Sequence, residues 1–540
     1  MKYFIYIFTL LFTIATASAK QSVGLVLSGG GAKGIAHIGV IKALEDNDIP
    51  IDYITGTSMG AIVGGMYAAG YTTDEMMQLL QSKEFTKWST GQVDEKLTYF
   101  FFKDEPRPAM FNFAISPRDS TKTSSILPTS VISPLPMNFA FMELFSGYTA
   151  QCDGDFDKLF VPFRCVASDV YSKKKVICKS GSLGDAIRAS MSFPIVFHPI
   201  EIDGVTLYDG GIYDNFPTDV MKTEFAPGIM IGVDVALPEP EVKSTDLVQQ
   251  LEDMIIQDKN DPMKPEDGIY IHVDLTGYNL LDFPKAQAIY QIGYNRAMEF
   301  IDSIKARIPD RTPAIERQLR REVFKSKTPS VVFQSVNITG GTPSQNNYLE
   351  RTFNTHVTDT FGIEHAKAAY YRAITGGKLK NFLPTAVYDN NTGMFDLNLK
   401  ATVKDNLNIG FGGWITSSSA SMLYLSGRSY SLDHNSINAG VNAWVGKNYF
   451  AAEATGRLFL PYSTPSSFSV EAVVSRTSSH TGEQFFYETD DKSALYDTQR
   501  FGKLHFSRAT SRRSLIDISA GFGHLVYSYL PPMNLSYEKK

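Results

Sequence analysis

The sequence predicts three folds in series: an α/β domain with a mostly parallel sheet and helices on both faces, a small α+β module, and an all-β C-terminal region. Three observations predict this. From Ser22 to about Pro238, short apolar runs alternate with helical patterns. From Val331 to Val403, a strand, a helix and two further strands follow one another. After Asp405 the helical period vanishes, and apolar residues alternate with polar ones, the period of a strand. A chain of 540 residues is too long for one core. The expected divisions are 1–19, 20–238, 239–330, 331–403 and 404–540.

Residues 1–19 read as a signal peptide. Lys2 is the charged start, Phe4 to Thr16 the apolar core, and Ala17-Ser18-Ala19 the small-residue cleavage site. In the α/β domain, Val23-Gly24-Leu25-Val26-Leu27 is a buried strand, followed by a helix over Ala32 to Glu45. Tyr53-Ile54 ends a second strand and Met59 to Ala69 begins the next helix. Phe163 to Ala167 and Gly228 to Val233 supply later strands. Residues 239–330 are more polar, with a charged helical stretch from Lys285 to about Lys325, and read as an extension or connector. In the module, Val332 to Ile338 is a strand, Gly340-Gly341 a turn and Ile363 to Ile374 a helix. Phe382 to Tyr388 and Met394 to Val403 are strands joined through Asp389 to Gly393. Beyond Asp405, Ile437, Ala439, Val441, Ala443 and Val445 alternate with Asn438, Gly440, Asn442 and Trp444. That pattern fits the strands of a transmembrane barrel and those of a soluble β-sandwich equally.

A net charge of -6 gives no basic field for nucleic acid. The three cysteines, Cys152, Cys165 and Cys178, cannot all pair and lack zinc-ligand spacing. They read as small buried residues, with one disulfide open to them in an oxidising compartment. No metal or cofactor is expected.

The chemistry is concentrated in three short segments. Gly56-Thr57-Ser58-Met59-Gly60 lies directly between a strand and a helix, the setting of a nucleophile elbow. Ser58 is the candidate nucleophile, and Gly56 and Gly60 leave room for the chain to turn. Gly29-Gly30-Gly31-Ala32-Lys33-Gly34 also lies between a strand and a helix. As G-x-G-x-x-G it suits a dinucleotide, with Asp52 near the ribose; as a run of glycine amides it suits an oxyanion hole. The serine elbow one βα unit later favours the oxyanion hole. The serine needs a base. His37, His198 and His272 lack an orienting neighbour and read as packing or structural residues. Asp209 ends the strand Thr206-Leu207-Tyr208 and opens the turn Gly210-Gly211, so its carboxylate stands at a strand's C-terminal end, where ligand sites of open α/β sheets occur.

The order and separation of the GGGAKG loop, the GTSMG elbow and the YDGG turn resemble the patatin-like phospholipase family. Ala189 to Pro194 and Pro162 to Ala167 are similar to that family as well. The resemblance covers about residues 22–222. It implies a Ser–Asp dyad without histidine, acting on lipid acyl esters, in which Ser58 attacks and Asp209 accepts its proton and later activates water. Amides around Gly30 and Gly31 would bind the oxyanion and Lys33 would add positive potential, with no cofactor. Beyond Val331 the chain is similar, less specifically, to outer-membrane patatin proteins with a POTRA-like module (331–403) and a β-barrel. Only 135 residues follow Asp405, room for roughly seven or eight strands, fewer than such barrels carry.

Tyr99 to Phe102 and the apolar positions from Leu135 to Phe145 read either as core or as an acyl pocket or bilayer contact. The expected activity is phospholipase A or lysophospholipase at the outer membrane, with phospholipid or lysophospholipid as substrate. Two other readings are a surface or translocation protein with a non-enzymatic passenger domain, and a soluble periplasmic esterase.

Overall fold

A computed structural model describes residues 21–102, 107–115, 132–236, 263–353, 359–404, 407–415, 421–433, 435–460, 464–484 and 487–530. The expected signal peptide lies outside them. The chain divides into two compact units, Met1–Thr90 with Ser130–Ser133 and Ala140–Ser330, and Gly91–Thr129 with Pro134–Phe139 and Val331–Lys540.

The first unit is built on a mixed sheet. Its elements are β1 (Val23–Leu27), α1 (Ala36–Asp46), β2 (Tyr53–Thr57), α2 (Met59–Ala68), β3 (Phe163–Asp169), β4 (Lys174–Cys178), α3 (Leu183–Ser190), β5 (Ile200–Ile202), β6 (Val205–Asp209), β7 (Ile229–Asp234), β8 (Gly268–His272), α4 (Ala286–Arg307) and α5 (Ala314–Lys325). The strand order is β5-β6-β3-β2-β1-β7-β8, with β4 also on β3. Pairings β1–β2, β1–β7, β2–β3 and β7–β8 are parallel. Every residue of β1 and β7 is buried, as expected of strands covered on both faces.

The expected mostly parallel sheet holds in the centre and fails at one edge, where β3–β4, β3–β6 and β5–β6 are antiparallel. Short links explain β3–β4 and β5–β6, because a parallel crossover needs a dozen or more residues; β6 then lies antiparallel to β3 as the return strand of the β5–β6 hairpin. Between β3 and β4 the Asp169 carboxylate accepts the N–H groups of Tyr171 (3.0 Å) and Ser172 (3.1 Å) and turns the chain within a few residues. Between β5 and β6, Asp203 and Gly204 both have positive φ (51° and 80°), the backbone of a two-residue hairpin turn.

The sheet also runs past the expected boundary at 238. β8 pairs with β7 and extends the sheet, so residues 263–330 belong to the first unit as an extension of it. Helix α5 is held by charge. Glu45 Oε1, nearly buried on α1, meets Arg317 Nε (3.1 Å) and Arg321 NH2 (3.0 Å) and accepts the Tyr67 hydroxyl (3.0 Å). Removing one member of such a cluster strands the opposite charges. Glu45→Ala is therefore expected to cost about 3–5 kcal/mol in urea unfolding, and Glu45→Gln less; an unchanged midpoint for Glu45→Ala would refute the assignment.

In the second unit, a four-stranded sheet has the order Phe361–Gly362, Val332–Thr339, Met394–Val403, Leu379–Asp389. Helices Pro343–Phe353 and Ile363–Thr375 accompany it. The strands and second helix lie where the periodicity places them. The first helix and the two-residue strand were not anticipated, because Ser344 to Asn347 are polar and carry no apolar stripe. The aromatic run Tyr99 to Phe102 packs here, with Phe101 buried against Phe459 and Ala509. Most apolar positions between Leu135 and Phe145 are buried as well. The second stretch is thus largely buried, whereas in the first only Phe101 is buried and Phe100 is exposed.

Seven strands follow, Leu407–Trp414, Met422–Leu432, Ser436–Gly446, Tyr449–Leu460, Ser466–Gln484, Tyr487–Ala509 and Leu515–Leu530, each antiparallel to the next. Ala109–Ile115, which the periodicity did not single out, adds an eighth strand beside the first. Among the described residues this sheet is open, ending at Ala109–Ile115 and Leu515–Leu530. Its alternation points the unusual way. Val441 is 60 % exposed and Ile518 66 %, while Asn442 is 3 % exposed. Asn442 accepts the Tyr424 hydroxyl (2.7 Å) and donates to Glu453 (2.6 Å), which pairs with Arg107 (3.1 Å). In the strand Ser436–Gly446 the exposed positions are apolar and the most covered ones polar, whereas Leu515–Leu530 is exposed on both faces. No described helix is long and apolar enough to cross a membrane, which says nothing about strands.

Candidate active site

The edge of β3 brings the two predicted residues together. Val166 is opposite Ile177 on one edge and Thr57 on the other; Ala167 is opposite Val176 and Asp209. Since β4 occupies one edge, β2 and β6 share the other end to end. Ser58, which follows Thr57, thus meets Asp209, which ends β6.

Ser58 has φ 53° and ψ −118°, a strained conformation for a residue with a Cβ. Its surroundings hold it there. The Ser58 N–H donates to Ser190 Oγ (3.0 Å), and that hydroxyl donates to Val166 O (2.6 Å). A Cβ on Gly56 would lie 2.4 Å from Gly60 O, and one on Gly60 2.5 Å from Leu27 O, so the elbow closes only with glycine at both positions. Ser58 Oγ donates to Asp209 Oδ2 at 2.7 Å.

Asp209 is buried, and its Oδ1 accepts the Gly211 N–H (2.8 Å). Burial pushes its carboxyl up to about 6, against the lowering effect of the bonds from Ser58 and Gly211. Gly210 lies under β3, where a Cβ would approach Val166 O to 2.2 Å.

The glycine loop lies alongside. Gly30 (φ 151°) and Gly31 (φ 54°) adopt backbone that favours glycine, and Gly31 starts a 3-10 turn to Ile35. The amides of Gly29, Ala32 and Lys33 donate to Asn215 O, Leu280 O and Gly30 O. A Cβ on Gly29 would stand 3.1 Å from Ser58 Cβ, and one on Gly34 2.5 Å from Met59 Cγ. Loop and elbow therefore touch. Lys33 is half-buried at this loop.

None of the three histidines bonds to Ser58. His37 is fully buried and its Nε2 donates to Ser28 O (2.9 Å); burial lowers it to about 4, so it is neutral at physiological pH. His198 Nδ1 lies 2.9 Å from Pro199 O, and His272 sits within β8.

Sequence reasoning missed four residues. Ser190 anchors the elbow amide. Ser192 O accepts the Asp209 N–H (3.0 Å), and its hydroxyl is bonded by Arg188 NH1 (2.8 Å). All three lie in or beside the Ala189 to Pro194 segment, where apolar flanks around polar residues were the available signal. The fourth, Asn215, is 3 % exposed. Its Oδ1 is buried without a partner and stands 2.4 Å from where a Gly29 Cβ would be. Among the described residues no group of three or more His, Cys, Asp or Glu could hold a metal ion.

Residues 25–222 match the family model for patatin-like phospholipase. The chain carries a patatin-like phospholipase domain. It is 29 % identical over 330 residues to a lysophospholipase NTE1 of Meyerozyma guilliermondii, covering 55 % of this chain and 20 % of that one. It is 28 % identical over 344 residues to the Scheffersomyces stipitis lysophospholipase NTE1, covering 58 % and 20 %. The chain thus spans about a fifth of the length of these curated relatives. Among solved structures, VipD from Legionella pneumophila aligns at TM-score 0.31 and 15 % identity, over 53 % of this chain and 67 % of that one. Within the patatin-like domain of this chain, Ser58 Oγ lies 2.7 Å from the buried Asp209 carboxylate.

Proposed function

We propose that the chain is an exported lipid acyl-ester hydrolase of phospholipase A or lysophospholipase type. The observation that carries this reading is the 2.7 Å bond from Ser58 Oγ to a buried Asp209 carboxylate. Ser58 Oγ attacks the ester carbonyl carbon while its proton passes to Asp209 Oδ2. The carbonyl oxygen becomes an oxyanion and accepts the Gly30 and Gly31 N–H groups. Collapse expels the alcohol, which takes the proton from Asp209 and leaves Ser58 acylated. Asp209 then deprotonates water, whose attack on the acyl carbon expels Ser58 Oγ; that oxygen takes the proton back from Asp209 and the fatty acid is released. Burial makes Asp209 a stronger base than an ordinary aspartate.

Asn215 fits as a contact to the substrate through its Oδ1, which can accept a hydrogen bond from a substrate hydroxyl or N–H group. A buried carbonyl oxygen without a bond is costly unless a ligand completes it. Asn215→Ala is expected to lower kcat/KM about 10- to 100-fold with the melting temperature unchanged or raised. A fall in melting temperature with full activity would remove it from the site.

The C-terminal region is proposed as a POTRA-like module followed by strands of an outer-membrane barrel. The alternation of exposed apolar and covered polar positions in Ser436–Gly446 supports this, since a soluble sandwich has the reverse. The expected test result is slower gel mobility after boiling in detergent; a chain soluble and monomeric without detergent would overturn the membrane part alone. For the hydrolase, the full chain is incubated with phosphatidylcholine and lysophosphatidylcholine micelles, and fatty acid release is expected. A folded chain that releases none from either favours the non-enzymatic passenger.

A further inference from the structure

Cys165 on β3 and Cys178 on β4 are register partners in an antiparallel pair. Opposed residues of such a ladder have Cα atoms about 4.5 or 5.5 Å apart, and both spacings fall within the roughly 4.4–6.8 Å of a disulfide. Both thiols are free. Cys152 is engaged elsewhere, its Sγ donating to Lys158 O (3.2 Å).

We infer that Cys165 and Cys178 are a cross-linking site that closes to a disulfide on meeting a thiol–disulfide oxidant. Cys178, the more exposed of the two, reacts first. Its thiolate attacks one sulfur of an external disulfide RS–SR, and RS⁻ leaves and takes up the proton Cys178 released. Cys165 then attacks Cys178 Sγ and expels the second RS⁻, which takes the Cys165 proton. Two cysteines lose two electrons in all, and one RS–SR becomes two RSH. Burial raises the Cys165 thiol above its usual range, so the second step is the slower.

The bond would clamp the frame of the site. β4 carries Lys175, which pairs with Asp214 (2.9 Å) and Asp219. Asp214 O accepts the Thr57 hydroxyl (2.8 Å), and Asp214 precedes Asn215. The opposite edge of β3 holds Thr57 and Asp209. The cross-link thus ties both edges of β3 to the segments that bear the serine and the carboxylate.

The test uses the full chain in detergent, reduced, treated with oxidised glutathione, alkylated while denatured and digested with trypsin. The expected product joins Cys165–Lys173 to Val176–Lys179, two hydrogens lighter than the separate peptides, with Cys152 alkylated. Alkylation at both cysteines, glutathione retained on Cys178, or a link through Cys152 would each overturn the inference. The oxidised chain should melt about 5 °C above the reduced one, and a Cys165→Ser/Cys178→Ser variant should ignore oxidant and reductant alike. A melting point that falls on oxidation refutes the clamp. None of these readouts depends on hydrolase activity.

Discussion

Ser58→Ala is expected to lower kcat/KM for acyl-ester hydrolysis by at least about 10³-fold. It should also abolish covalent labelling by a fluorophosphonate, which reacts with activated serine hydroxyls. The hydroxyl is the atom attacked from and the one bonded to Asp209, and no described histidine bonds to it as a substitute base. Stability should hardly move, because alanine keeps the Cβ and the backbone amide bond to Ser190. Ser58→Gly separates strain from chemistry. Relief of the φ 53° backbone should stabilise that variant by about 1 kcal/mol while leaving it equally inactive. Wild-type rates in Ser58→Ala would remove the serine from the mechanism. A Ser58→Gly chain less stable than wild type would show that the turn is not strained.

The elbow, the loop and the aspartate turn were legible in the sequence because each depends on local chemistry. Backbone that favours glycine, as at Gly30 and Gly31, or that excludes a Cβ, as at Gly56, must be written with glycine wherever it occurs. Asp209 was legible by position at the end of a strand. What holds these segments together was not, because it depends on pairings between distant residues. The shared edge of β3, which sets Ser58 beside Asp209, needs the antiparallel return of β6, and a parallel α/β reading does not contain it. Asn215 and Ser190 are ordinary polar residues in sequence; only burial and the direction of their bonds set them apart. The pairing of Cys165 with Cys178 is likewise a matter of register.

The second unit shows the same division. The alternating segments 437–445 and 516–522 lie within the strands Ser436–Gly446 and Leu515–Leu530, and the barrel and sandwich readings differ only in which side is wet. That side is fixed by long-range contacts such as Arg107 with Glu453, which no local window contains. For residues 263–330 the sequence left extension and connector open, because their helices are charged on the surface. Their anchor is the Glu45 cluster, made by three helices far apart in sequence.

Asp209→Asn should be inactive and, at neutral pH, more stable than wild type. The amide keeps the volume and can still accept the Gly211 N–H, but cannot take a proton from Ser58. In the wild-type chain the carboxyl must be ionised to act, and burial holds it at about 6. Plots of kcat/KM are therefore expected to fall about tenfold per unit below pH 6 and to level off above it. Stability runs the other way. The native chain keeps this proton up to about pH 6, whereas the unfolded chain loses it near 3.8. The native state thus binds more protons between these values, and stability falls as pH rises through that window. Above it the wild type carries a buried charge that asparagine lacks, worth up to about 3 kcal/mol. Urea unfolding of both proteins at pH 4.0 and 8.0 checks this, with the Asp209→Asn advantage expected to be larger at pH 8.0. An equal difference at both values would show that Asp209 is not held protonated by the fold, and an acid limb that persists in a residually active Asp209→Asn chain would assign it to another group.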